Sequence, residues 1–162
     1  MLDRINYTQT HRDDLMVLMI RRTQQEVAVM EALAVIYTHT TRTKLADTLN
    51  AASVPSETGK PFSAADMTPI IKLLDRKGLA VWDGTKVACC GEIVEMLTRR
   101  MIAQGRFEPI SQAVCEIYPV GLERLQWRME SPEDILRAFR IALYQNDVDF
   151  AFKLLDAMDA AR

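Results

Sequence analysis

Lys72 and Arg76 stand four residues apart in a segment whose apolar residues, Met67, Ile70, Ile71 and Leu74, repeat at helical spacing. Two cations on the outer face of one helix suit contact with backbone phosphates. Ala65 and Thr68, about one turn earlier, would then approach base edges. The same pattern also suits a solvated helix face, with Arg76 and Lys77 complementing the helix dipole. Lys86 follows a short turn and is placed to touch a phosphate, beside a Trp82 that either stacks on a base or covers a small core. Arg42, Lys44 and Lys60 add cations upstream. The candidate nucleic-acid-binding set is therefore Arg42, Lys44, Lys60, Thr68, Lys72, Arg76 and Lys86.

Other reactive residue types form no catalytic pattern. The cysteines are Cys89, Cys90 and Cys115, an odd count with one adjacent pair, which is a poor disulfide framework and suits a reducing cytosol; the Cys89-Cys90 pair reads as small buried hydrophobes. His11 and His39 are the only histidines, neither is near a cysteine, and neither sits in a nucleophile arrangement. There is no G-x-G-x-x-G, no G-K-[ST] phosphate loop and no H-E-x-x-H. No metal or cofactor is expected, and the chain reads as a binding module rather than an enzyme.

The elements that must position the basic residues can be read from periodicity. Residues 24–38 place Val27, Met30, Leu33, Ala34 and Tyr37 on one helical stripe. A polar break over 38–41 precedes a short helix, 44–52, capped by Thr43, with Leu45, Ala46 and Leu49 inward. Residues 54–62, VPSETGKPF, are a loop. Ser63 opens a helix over 63–77 with Asp66 as its capping acid and Gly78 as its stop, although Pro69 interrupts its bonding. Asp83-Gly84 marks a hairpin over 79–89, with Trp82 opposite Thr85 and Ala80 opposite Val87. Leu33, Leu45, Leu49, Met67, Ile70, Ile71 and Leu74 form the expected core. Further helices are expected over 13–22, 92–104, 109–118 and 122–129. Ser131-Pro132 starts another, with Ile135, Phe139, Ala142 and Leu143 on one face, and the last begins at Val148.

Three helices followed by a hairpin resemble a winged helix-turn-helix over roughly residues 24–90. The segment 70–87, IIKLLDRKGLAVWDGTKV, is similar to that superfamily's third helix, its Arg-Lys-Gly-Leu exit and its wing. A narrower likeness covers 45–74, where Leu49-Asn50, Val54-Pro55 and Gly59-Lys60-Pro61-Phe62-Ser63 resemble a DNA-binding stretch of large serine recombinases; nothing resembles their catalytic domain. These resemblances imply a mainly α chain, with an N-terminal helix and winged domain over 1–90 and a helical extension over 91–162.

Composition sets the limits on function. Across 162 residues, 49% are hydrophobic and 26% charged, which suffices for a packed core. The net charge of −2 announces no polyanion partner, so such binding must rest on a local patch. Residues 40–88 carry seven basic and five acidic side chains, whereas 89–162 carry nine and twelve. Asp66 and Asp75 lie on the same helix as Lys72 and Arg76. No apolar stretch is long enough to cross a bilayer and no secretory signal is read, so a cytoplasmic location is expected. The leading expectation is a DNA-binding module in transcription regulation, the regulatory or targeting part of a larger bacterial-type protein. The alternative is a protein-interaction adaptor that binds no nucleic acid. In either case the C-terminal helices are expected to meet a protein partner or form a homodimer, because Phe152, Leu155 and Met158 need cover.

Overall fold

The computed structural model describes residues 13, 14, 17, 22–121 and 131–160. His11, the helix expected over 122–129 and most of that over 13–22 lie outside these residues. The described chain is mainly helical, with one small three-stranded antiparallel sheet.

Helix α1, Gln24–Ile36, starts at a capping box in which Thr23 and Glu26 satisfy each other's backbone N–H groups. Its second half, Val29 to Ile36, is buried on every side rather than along the single expected stripe. The reason is position: α1 runs through the centre of the molecule and packs against each of the next five helices introduced below. Strand β1, Thr40–Thr41, falls where a polar break was expected; two threonines are too few to show strand alternation. Helix α2, Arg42–Ala51, is capped by Thr41, not Thr43, with the Thr41 hydroxyl accepting from Lys44 N at 3.3 Å.

The long connection after α2 is fastened at its far end. The Asn50 amide donates to Phe62 O at 2.9 Å and accepts from Phe62 N at 2.8 Å, and the Phe62 ring is buried. These bonds set where α3, Ala64–Arg76, begins, one residue after its cap Ser63. Asn50→Ala leaves both Phe62 backbone groups unpaired in a part-buried place and should cost about 2 kcal/mol in chemical denaturation. An unchanged midpoint would show that the clasp contributes nothing.

Ser63 and Asp66 form the expected capping box. The helix continues unbroken through Pro69 and closes with a Schellman motif: Gly78, at φ 70°, donates to Asp75 O and Leu79 donates to Leu74 O, both at 2.9 Å. Strands β2, Ala80–Trp82, and β3, Lys86–Cys89, follow, and the sheet order is β1-β3-β2. Trp82 pairs with Val87 and Ala80 with Cys89, two residues away from the expected register. The cause is a longer turn, in which the Asp83 carboxylate accepts from Thr85 N at 2.8 Å and from Lys86 N at 2.6 Å. Those two bonds hold the Asp83 carboxyl below its ordinary pKa, Lys86 N being the larger cause.

Helices α4, Gly91–Ala103, and α5, Phe107–Ile117, pack on α1, and α5 also packs on α2. Helices α6, Pro132–Tyr144, and α7, Val148–Ala160, form a helical pair whose first member rests on α1. One continuous core joins Leu33, Leu45, Leu49, Met67, Ile71 and Leu74 to Ile93, Leu97, Phe107, Val114 and Ile141; Ile70 is only partly buried against it. Helix α6 presents Arg137, Ile141 and Ala142 inward, while Leu143 is exposed and Ile135 and Phe139 are half-buried, which corrects the expected apolar face. The buried arginine explains the change. Its Nε donates to Ile36 O at 2.8 Å, a second bond to a carbonyl that also accepts from Thr38 N at 2.8 Å at the C-terminal end of α1.

Candidate nucleic-acid interface

The structure sorts the seven candidate residues into two groups and leaves one apart. The first group follows α3. Thr68, Lys72 and Arg76 recur every four residues along its outer side, with Lys72 and Arg76 exposed. Arg42, at the start of α2, donates from Nη1 to Thr68 Oγ1 at 2.8 Å, which ties the two helices together at this face. Thr68 in turn donates to Ala64 O at 3.4 Å, so its hydroxyl is engaged within the fold. The Arg76 Nε donates to Lys72 O at 3.3 Å, and Lys72 Nζ stands 5.8 Å from the centre of the Trp82 ring. Trp82 itself is half-buried against the core, and its indole N–H is buried without a hydrogen-bond partner among the described residues.

The two acids of α3 have structural partners. Asp66 accepts from Ser63 N at 2.8 Å and Ser63 Oγ at 2.6 Å, and these bonds, the side-chain one foremost, hold its carboxyl below the ordinary value. Asp75 accepts from Trp82 N at 3.1 Å, joining the end of α3 to β2. Both carboxylates therefore turn toward backbone donors at the two ends of the helix, while the cations project from its middle and last turn.

The second group lies on the β1 side. Lys44 and Lys86 line a cleft of about 560 Å³ together with His39, Asp83, Tyr118 and Arg137. Tyr118 is held between cations, with Lys44 Nζ 4.8 Å and the Arg137 guanidinium carbon 4.3 Å from its ring centre, and its hydroxyl bonds Thr40. Arg137 also pairs with Asp134 at 2.5 Å and donates to Thr38 Oγ1 at 2.5 Å. Burial works to raise the Asp134 carboxyl, but the bonds from Arg137 and Ser131 hold it below its ordinary value. Glu133 and Asp134 give this cleft mixed charge. Lys60 is exposed in the α2–α3 loop, where the Ser56 hydroxyl donates to its carbonyl at 2.5 Å.

Sequence reasoning did not single out Tyr118 or Arg137, and met Asn50 only within the recombinase-like run. Asn50 and Tyr118 look like ordinary polar surface residues in the chain, and Arg137 meets partners roughly 100 positions upstream that no local pattern connects. Cys89 is buried, and burial pushes its thiol well above the ordinary range, whereas Cys90 is only partly buried, which corrects the expected buried pair. Among the described residues no group of three or more His, Cys, Asp or Glu side chains is arranged to hold a metal ion, and no helix is long and apolar enough to cross a membrane. No family model, curated protein or solved structure matches the chain.

Proposed function

We propose that residues 24–90 are a winged helix-turn-helix that binds duplex DNA, with α3 as the recognition helix and the β2–β3 hairpin as the wing, in a cytoplasmic regulatory or targeting module. The single observation that carries this reading is the side-chain layout of α3. Its cations Lys72 and Arg76 are exposed beside the hairpin, whereas its acids Asp66 and Asp75 are taken up by backbone N–H groups. The arrangement of three helices with strand order β1-β3-β2 supports the same reading, because it sets the hairpin directly against α3. Arg42 joins this face through Thr68; Lys44 and Lys86 belong to the separate Tyr118 cleft, and Lys60 stands in the α2–α3 loop. A gel shift with random-sequence duplex tests it: a retarded complex is expected, and free duplex at every protein concentration would refute it.

A second reading, a protein contact through the C-terminal helices, is favoured by exposed apolar side chains. Leu136 and Leu143 on α6 and Val148, Phe152 and Leu155 on α7 all show at least two-fifths of their surface. Leu154 and Ala151 of α7 are buried within the chain, so the helix is only partly covered. Sedimentation should find self-association at micromolar concentration, abolished by Phe152→Glu with Leu155→Glu. A wild-type monomer at every concentration would remove the homodimer.

A further inference from the structure

A cleft of about 480 Å³ opens at the opposite end of α2 from β1, between the N-terminal half of α1, the first half of the α2–α3 loop and the α4–α5 turn. Its walls include Ala28, Val54, Pro55 and Ile110. Glu31 and Arg106 also line it. Glu31 is the only charged residue in the buried run of α1 and is 2% exposed. Burying a carboxylate costs several kcal/mol before any pairing, and an apolar residue would pack α1 better.

The pair is incompletely satisfied. Arg106 Nη2 forms an ion pair with Glu31 Oε1 at 2.7 Å and also donates to Gln104 Oε1. Glu31 Oε1 and Arg106 Nε are both buried and have no hydrogen-bond partner among the described residues. The Arg106 side chain as a whole is 41% exposed, and Glu57 adds a second carboxylate at the rim. The site therefore offers one cation, two carboxylates and an apolar wall within one small volume.

These features select among ligand classes. A purely apolar molecule would leave the charged groups as they are. An anion would meet Arg106 but also both glutamates, and a cation would meet the glutamates but also Arg106. A molecule carrying a carboxylate and an ammonium close together serves both. We propose that this cleft binds a small zwitterion on an apolar body, the chemistry of a free amino acid, with its carboxylate at Arg106, its ammonium at Glu31 and Glu57, and its side chain against Ala28, Val54, Pro55 and Ile110.

The wall that holds Val54 and Pro55 leads on through the loop to the Ser63 cap of α3. A bound ligand would thus brace the helix that carries Lys72 and Arg76; that consequence rests on the DNA reading, and the site does not.

Calorimetric titration of the intact chain with L-leucine and L-methionine, alongside isoamylamine and isocaproate as the separate halves of leucine, tests the site without DNA. At least one amino acid should saturate the chain with a Kd of about 1 mM or tighter, and each half should bind at least about tenfold more weakly. Glu31→Gln should weaken the amino acid about tenfold while thermal stability is kept or raised, because the burial cost of the charge is gone. Ala28→Phe, which fills the apolar side of the cleft and leaves both charged residues in the chain, should abolish binding at unchanged helix content. Absence of saturation by either amino acid, a half that binds as tightly as leucine, or undiminished binding by Ala28→Phe would overturn the proposal. A failed gel shift would leave these results as they stand.

Discussion

Replacing Lys72 and Arg76 together by alanine should weaken binding to every duplex by a similar factor and flatten its salt dependence. Each phosphate contact releases condensed counterions, which contributes about 0.9 to the slope of log affinity against log salt. Two lost contacts should make the slope shallower by about 2 and lower affinity about 50-fold at roughly 0.1 M salt. The loss should not depend on sequence, because these side chains are placed for phosphates rather than base edges. Both are exposed, and neither contributes to the core, so thermal stability should change by less than about 0.5 kcal/mol. Anisotropy titrations of the double variant over a salt series check each part. Unchanged affinity would move attention to Arg42, Lys44 and Lys60.

Arg137→Ala should be the most damaging substitution of a polar residue in the fold. The guanidinium bonds Ile36 O, Thr38 Oγ1 and Asp134, and it lies over Tyr118. Its removal takes away one bond to the buried Ile36 carbonyl, which keeps that from Thr38 N, and leaves Asp134 without its ion-pair partner. A loss of about 3 kcal/mol is expected in denaturant unfolding. The sign of the pH dependence follows from Asp134, whose carboxyl lies below its ordinary pKa in the folded chain. Its contribution is present above the unfolded value and is lost as pH falls through the folded one. The wild type should therefore lose more stability on acidification than Arg137→Ala does. Equal stability at neutral pH would show that α6 is held by Ile141 and its apolar neighbours alone.

What could be read from the chain follows the range of the interactions. The Ser63 and Asp66 cap, the Gly78 stop and the apolar spacing of Met67, Ile71 and Leu74 are local, and α3 lies where they place it. The same holds for the start of α6 at Ser131 and Pro132. The hairpin was recognisable from Asp83-Gly84, but its register was not, because the Asp83 side chain lengthens the turn by bonding Thr85 and Lys86. Strand β1 exists through pairing with β3, some 46 residues on, and two threonines carry no alternation of their own. The inward face of α6 was misread for a similar reason. Periodicity favours Leu143 and Phe139, whereas bonds to Ile36 O and Thr38 Oγ1, about 100 positions upstream, draw Arg137 inward. Of the candidate site, the cations were legible as residues; their division into the α3 face and the Tyr118 cleft depends on contacts between distant segments.

The central claim is that α3 and its hairpin hold duplex DNA through phosphates. Fluorescence anisotropy of the wild-type chain with a labelled random-sequence duplex, at about 50 and 200 mM salt, tests it most directly. With four phosphate contacts, drawn from Arg42, Lys60, Lys72, Arg76 and Lys86, affinity should fall by about 100-fold between the two conditions. No saturable binding at the lower salt, or an affinity that salt leaves unchanged, would contradict the account.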